Sequence, residues 1–245
     1  MQTRIIAHRG ASADAPENTM PAFELAERQG AQMLEFDVRP TADGAIVVFH
    51  DDTTERWNGR PQPIAAMPLE EVQQLDIRGA TVPTLRELLA WARATNLELN
   101  VEIKTPGIER QVAELVREHG LVERVIVSSF HEQVLVAMHA VAPELPLGVL
   151  MWTNSWPTTP ELPEQWPVPI LQHLQARAWH PTWQLPQLDQ LIPQVRRAGI
   201  AINVWTVDDP DMMRQLLALQ VDGIITNRPA ALRDIQATWR AEPPK

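Results

Sequence analysis

The chain has 245 residues, no cysteine, and 31 acidic against 21 basic residues, for a formal net charge of −10. A chain of this length forms one large domain or two small ones and buries roughly 70–75% of its unfolded surface. Without cysteine there are no disulfides, thiolate metal sites or cysteine nucleophiles, and the acidic balance argues against non-specific binding to nucleic acid or anionic membrane.

The first ten residues, MQTRIIAHRG, read as a strand that starts almost at once. No basic segment leads into an apolar run of signal-peptide length, and no apolar run approaches about 18 residues. A cytoplasmic protein without stable membrane association is therefore expected. The strand ends in Ala7-His8-Arg9-Gly10, which puts a histidine and an arginine where barrel enzymes carry catalytic groups. A purely structural histidine is the alternative. A helical pattern follows over Met20–Gln29, with Asn18 as a candidate N-cap, Pro21 in the first turn and Gly30 past the end.

The second strand, Met33–Val38, places Glu35 and Asp37 on one face, because residues two apart in a strand point the same way. Two carboxylates on a buried face repel each other unless a cation lies between them. The alternative is a pair of acids on a solvated face. Oxygen ligands suit Mg²⁺ or Ca²⁺. Asp43-Gly44 then signals a hairpin. With a two-residue loop, Asp37 lies opposite His50, which brings that histidine beside the carboxylates.

Residues 53–81 read as a small insertion containing a short helical pattern around Leu69–Leu75. Thr84 is a candidate N-cap for a helix over Leu85–Ala94. The next strand, Leu97–Ile103, carries Asn100, Glu102 and Lys104 on one face. Either Lys104 and Glu102 neutralise each other, or Glu102 is a third acidic metal ligand and Lys104 an anion clamp.

Strand runs continue at Val125–Ser128, Leu147–Met151, Ile170–Leu174, Ile200–Val207 and Gly223–Thr226. Helical patterns fall between them at Glu109–Glu118, Gln133–Ala140, Leu188–Ala198, Met212–Leu219 and Ala230–Trp239. The Trp- and Pro-rich stretch Trp152–Pro186 reads as an irregular loop packed by tryptophans, or as a wall or lid facing a substrate. Eight strands alternating with helices predict an α/β fold, the (β/α)₈ TIM barrel, as one domain over 1–245. A doubly wound open sheet is the competitor. In a barrel, the C-terminal strand ends bring His8, Arg9, Glu35, Asp37, Glu102 and Lys104 to one mouth, and the hairpin adds His50. Three carboxylates for a divalent cation, two cations for an anion and two histidines for acid–base work fit metal-assisted phosphodiester hydrolysis.

An ordered set of motifs resembles the glycerophosphodiester phosphodiesterase family, and most of all its short bacterial cytoplasmic members. The set runs His8-Arg9-Gly10, Pro16-Glu17-Asn18-Thr19, Glu35-Phe36-Asp37-Val38, Asp43-Gly44, Val48-Phe49-His50-Asp51, Pro83-Thr84-Leu85, Val101-Glu102-Ile103-Lys104, Ser129-Phe130, Val204-Trp205-Thr206-Val207 and Val221-Asp222-Gly223-Ile224-Ile225-Thr226-Asn227. The resemblance implies a TIM barrel and a Mg²⁺ or Ca²⁺ requirement. It also implies hydrolysis of glycerophosphocholine, glycerophosphoethanolamine and similar diesters to sn-glycerol 3-phosphate and an alcohol. By position, Glu35, Asp37 and Glu102 hold the metal, His8 and His50 form the acid–base pair, and Arg9 and Lys104 contact the phosphate. Trp205 matches an aromatic that walls the glycerol pocket. The chain departs from the family pattern in its Trp/Pro-rich segment and in Thr226-Asn227, where many members have Thr-Asp. The rival functions are a phospholipase D- or C-like barrel acting on lysophospholipid or phosphoinositide, and a non-catalytic phosphodiester-binding module. The expected partner is a small-molecule substrate rather than nucleic acid, and the chain is expected to be a monomer or homodimer.

Overall fold

A computed structural model describes residues 2–153 and 166–239. In chain order its elements are β1 (Arg4–His8), α1 (Met20–Arg28), β2 (Met33–Pro40), β3 (Ile46–Val48), α2 (Glu55–Asn58), α3 (Leu69–Val72), α4 (Leu85–Ala92), β4 (Glu98–Ile103) and α5 (Glu109–Glu118). There follow β5 (Val125–Ser129), α6 (Glu132–Val141), β6 (Leu147–Met151), α7 (Val168–His173), β7 (Ala178–Pro181), α8 (Leu188–Arg197), β8 (Ala201–Val204), α9 (Pro210–Ala218), β9 (Gly223–Thr226) and α10 (Pro229–Thr238).

The strand order is β1-β9-β8-β7-β6-β5-β4-β2-β3, and β1 also pairs with β2. Parallel pairing thus closes eight strands into a barrel, with β3 as an antiparallel flap on β2. This is the TIM barrel, not the open sheet, because the β1–β2 ladder leaves no free edge in the parallel set. The outward residues of the strands pack against the helices in one large apolar core that includes Leu34, Phe36, Leu99, Val101 and Val127. The inward apolar set is small: Ile6, Met33, Ile126, Ala178 and Ile225. The remaining inward positions are therefore left to polar groups. His180 of β7 is fully buried there. Its ring occupies the space beside Gly148 of β6, where a Cβ would lie 2.7 Å from its Cε1.

Helix starts follow local chemistry. Thr84 and Glu87 form a reciprocal capping box at α4, and Asp209 caps α9 by accepting from the N–H groups of Asp211 and Met212. Three expectations change. Ile170–Leu174 is not a strand: these residues fall largely within α7, which begins just after Pro167 and carries Pro169 in its first turn. A short apolar run does not by itself separate strand from helix, and proline favours the first helical turn. The seventh barrel strand is instead Ala178-Trp179-His180-Pro181. Residue 19, not Asn18, occupies the N-cap position of α1.

The third change is the hairpin register, which is shifted by one. Val38 pairs with Val48, and the Phe49 N–H donates to the Asp37 carbonyl at 2.9 Å. The loop is longer than two residues because Thr41 N–H donates to the Ala45 carbonyl (2.9 Å), and Asp43 accepts from the Thr41 hydroxyl and from Leu69 N–H. Phe49 rather than His50 therefore lies opposite Asp37.

The excursion between β3 and α4 carries α2 and α3. It has its own apolar cluster, in which Ile64, Met67, Val72, Leu75 and Ile77 pack on Val47 and Phe49. In the Trp/Pro-rich segment, 154–165 lie outside the described residues, so the reading of that stretch as a loop or lid falls partly there. No described helix is long and apolar enough to cross a membrane.

Candidate active site

The tight turn after β1 sets the site's geometry. Arg9 adopts a left-handed backbone (φ 57°), a conformation that costs a non-glycine residue about 1–2 kcal/mol. Gly10 follows at φ 83°, pressed so close to α1 that a Cβ would sit 2.7 Å from the Ala22 carbonyl carbon. The Arg9 N–H donates to both the carbonyl and the carboxylate of Glu35, at 2.8 and 3.1 Å. The strained turn thus ties β1 to β2 at the barrel mouth.

Glu35 and Asp37 project inward from β2 and Glu102 from β4, where Asp37 and Glu102 are register partners. One carboxylate oxygen from each lies within 4.8 Å of the other two, and all three residues are buried. Two side-chain cations face them. Lys104 Nζ is 2.5 Å from Glu102 and 3.4 Å from Asp37, and Arg9 Nε is 3.3 Å from Asp37. Asn18 adds a neutral donor, its Nδ2 lying 2.8 Å from Asp37 Oδ2. Burial resists ionisation of Asp37, but Lys104, Arg9 and His50 outweigh it and hold that carboxyl well below the usual range. Burial pushes Glu35 well above it, with Asp37 and Glu102 adding to the rise. Burial also raises Glu102 to about 7, with Lys104 pulling the other way and Asp37 adding to the rise. Three carboxylates share two cations, and the upward shifts of Glu35 and Glu102 mark a cluster that gains from one more positive charge. Three buried oxygen donors are the donor set that suits a hard divalent cation.

Two histidines flank the cluster, and their supports differ. His8 Nδ1 is 2.7 Å from Asn227 Oδ1, and its Nε2 is 3.9 Å from Glu35. Asn227 is itself fixed by Ser12 (2.6 Å) and by Asp208, which accepts from both its backbone and its side-chain amide. Burial, and then the Arg9 charge, lower His8 to about 4. His50 Nδ1 is 2.8 Å from Asp51 Oδ1. Burial lowers the His50 pKa; Arg9 and Lys104 add to that effect, while Asp37 and Asp51 oppose it.

Across the mouth the wall is aromatic. Phe130, Trp152, Trp183 and Trp205 line the same cavity of about 540 Å³ as His8, Arg9, Glu35, His50, Glu102 and Lys104. Trp205 follows β8, and its indole N–H donates to the His180 carbonyl at 2.7 Å. Its ring lies 5.0 Å from Trp152 and meets Phe130 edge-on at 5.5 Å. Lys104 Nζ is 5.8 Å from the Phe130 ring centre.

All eight residues singled out from the sequence thus meet at one mouth: seven line the cavity, and Asp37 lies behind them in the carboxylate cluster. His50 arrives despite the altered register: β3 ends at Val48, Phe49 packs into the insertion's core, and His50, beyond the strand, lines the cavity. Residue-by-residue reading missed Asn18, Asp51, Arg56, Asn227 and Asp208 as partners of the site, while Glu17, which the resemblance places near the site, pairs with Arg9. Asn18 carried a signal: its φ of 55° is one that asparagine tolerates better than most residues. Trp183 lies in the Trp/Pro-rich stretch, and its place in the cavity lining fits the reading of that stretch as a wall facing a substrate.

Comparison with known proteins agrees with this geometry. The model of the glycerophosphoryl diester phosphodiesterase family matches residues 8–231. A glycerophosphodiester phosphodiesterase of Caldanaerobacter subterraneus subsp. tengcongensis is 34% identical over 245 residues, covering 95% of this chain and 97% of its own. The solved structure of a glycerophosphodiester phosphodiesterase from Agrobacterium tumefaciens superposes with a TM-score of 0.80 at 31% identity, covering 95% of this chain and 100% of its own. An Oleispira antarctica phosphodiesterase, solved in complex with the product sn-glycerol-3-phosphate, superposes with a TM-score of 0.83 at 27% identity, covering 97% and 98% of the two chains.

Proposed function

The chain belongs to the glycerophosphoryl diester phosphodiesterase family and is a phosphoric diester hydrolase; from that premise we propose how its own residues divide the work of cleaving glycerophosphodiesters to sn-glycerol 3-phosphate and an alcohol. The observation that carries the reading is the meeting, in one cavity, of three carboxylates within 4.8 Å, two side-chain cations and two histidines. The product found in the Oleispira protein supports the same substrate class.

Glu35, Asp37 and Glu102 hold a divalent cation, Mg²⁺ or Ca²⁺, and one barrel domain spans the chain. Bound there, the cation supplies charge neutralisation to a phosphate oxygen. Arg9 and Lys104 bind the phosphate and stabilise the charge that builds up in the transition state. His8 and His50 exchange protons with the nucleophile and the leaving alkoxide. Asn227 accepts from the His8 Nδ1–H and turns the Nε2 lone pair toward the cavity. Trp205, held by its bond to the His180 carbonyl, walls the glycerol end.

The test is a coupled assay of sn-glycerol 3-phosphate release from glycerophosphocholine and glycerophosphoethanolamine, with Mg²⁺, with Ca²⁺ and with EDTA. Release that EDTA abolishes is expected, and the head group and metal giving the higher kcat/KM identify the preferences. Folded protein that releases nothing with either ion defeats the reading. One observation favours a second substrate class: Trp152 and Trp183, 45% and 38% exposed, form an apolar rim at the mouth. Lysophospholipid in the same assay measures that activity directly.

A further inference from the structure

We infer that Arg56, on the short helix α2 of the excursion between β3 and α4, is a positioning residue that locks His50 and Arg9 into the site at once. The inference rests on the roles proposed above for those two groups. Arg56 Nε donates to Asp51 Oδ2 at 2.6 Å, and its two terminal nitrogens donate to the two Glu17 oxygens at 2.9 and 2.6 Å. Each carboxylate then turns its other contact inward. Asp51 Oδ1 lies 2.8 Å from His50 Nδ1, and Glu17 Oε1 accepts from Arg9 at 2.8 Å. One guanidinium therefore joins the support of a histidine to the support of a phosphate clamp, across two loops that are otherwise distant in sequence.

Geometry and charge both matter here. A planar guanidinium offers donors in a fixed fork, so it sets the angle between the two carboxylates as well as their distance, which an ammonium cannot do. The Arg56 guanidinium also rests over the Trp57 ring, its central carbon 4.5 Å from the ring centre. Arg9 already faces Asp37. If Glu17 had no other cation, the two carboxylates would together cancel the Arg9 charge that a phosphate needs. By pairing with Glu17 on both oxygens, Arg56 leaves that charge available. It also separates Glu17 from Asp51, two anions that would otherwise repel across the gap it fills.

An exposed ion pair is ordinarily worth little, and Arg56 is 44% exposed. The inference therefore makes a claim that a surface pair does not. In Arg56→Met, kcat falls by roughly 10–100-fold, while the affinity for the divalent ion, read by calorimetry, stays within about twofold. Arg56→Lys keeps the charge and loses the fork, so its kcat lies between the two. Adding Glu17→Gln or Asp51→Asn to Arg56→Met costs little further, because the three act as one unit. Arg86→Ala, which breaks the exposed pair with Glu118, is the control and leaves kcat unchanged.

The ¹⁵N imidazole signals of His50 give a readout that does not depend on turnover. They shift in both Arg56 variants and in Asp51→Asn. If the wild-type protein cleaves no glycerophosphodiester, the proposed function fails, and these signals still decide the clamp. A kcat within twofold of wild type in Arg56→Met, losses that add independently, or unmoved His50 signals would overturn it. If Arg56→Met does not fold, Arg56→Lys and Glu17→Gln carry the same test.

Discussion

The two halves of the barrel mouth are built on different principles. The half made by β9, β1, β2, β4 and the β2–β3 hairpin is a lattice of directed contacts. There Arg9, Lys104, Glu17, Asn18, Asp51 and Asn227 each hold a neighbour at hydrogen-bond or ion-pair distance. Among the described residues, the half made by β5 to β8 presents packed rings to the mouth, with Trp205 anchored by its indole N–H bond. Directed bonds fix atoms to within tenths of an ångström, which is what proton transfer and charge stabilisation need. Ring contacts fix a surface, which is what recognition of an alcohol or glycerol moiety needs. Under the roles proposed above, the chemistry belongs to the first half and the selectivity to the second.

The largest effects that probe this division fall on the charged half. Replacing His8 or His50 with alanine is expected to lower kcat by about 10²–10⁴-fold with a smaller change in KM. Near wild-type turnover in both variants would remove the acid–base assignment. Glu35→Ala, Asp37→Ala and Glu102→Ala are expected to abolish the rise in melting temperature that Mg²⁺ or Ca²⁺ gives the wild type. An ion at 100 times its Kd stabilises by about 2.7 kcal/mol, well within the reach of a thermal shift assay. An undiminished shift in all three variants would refute the carboxylate site.

The aromatic half should respond differently. Trp205→Ala removes a wall rather than a reacting group, so the expected result is a rise in KM of about tenfold with kcat largely kept. If kcat falls as far as in the histidine variants while KM holds, the division between the halves is wrong.

The same division explains what the sequence made legible. Glu35, Asp37, Glu102 and Lys104 stand at alternate positions in apolar strands, a period-2 signal that survives without any knowledge of tertiary contacts. His8 and Arg9 are marked by the glycine that the tight turn requires. The alternation of strands and helices was legible because seven of the eight barrel strands are apolar runs of ordinary composition, whereas closure into a barrel rather than an open sheet rests on the β1–β2 pairing. The aromatic half depends on β7, whose Ala-Trp-His-Pro sequence has no strand signature, while the apolar run before it belongs to α7. Its identity as a strand comes from pairing with β6 and β8, which is tertiary information. The hairpin register failed for a related reason. Asp43 spends its carboxylate on Thr41 and on the N-terminus of α3, a contact across 26 residues that no local turn rule contains.

The smallest expected effect concerns how the charged half is held when no substrate is present. Burial opposes ionisation of Glu17, but Arg56 and Arg9 bring its pKa down to about 2 from an ordinary 4.5. A carboxyl whose pKa is lower in the folded state binds fewer protons there than when unfolded. Its contribution to stability is therefore complete above pH 4.5 and is lost as the pH falls toward 2. Because Arg56 is nearly half exposed, solvent screening leaves this contribution on the order of 1 kcal/mol. Urea midpoints measured at pH 6 and pH 3 should accordingly differ more in wild type than in Glu17→Gln, in which no proton can bind at this position. Equal differences in the two proteins would mean that Glu17 gains nothing from its arginines on folding. The charged half would then owe its order to the backbone turn at Arg9-Gly10 rather than to the ion pairs around it.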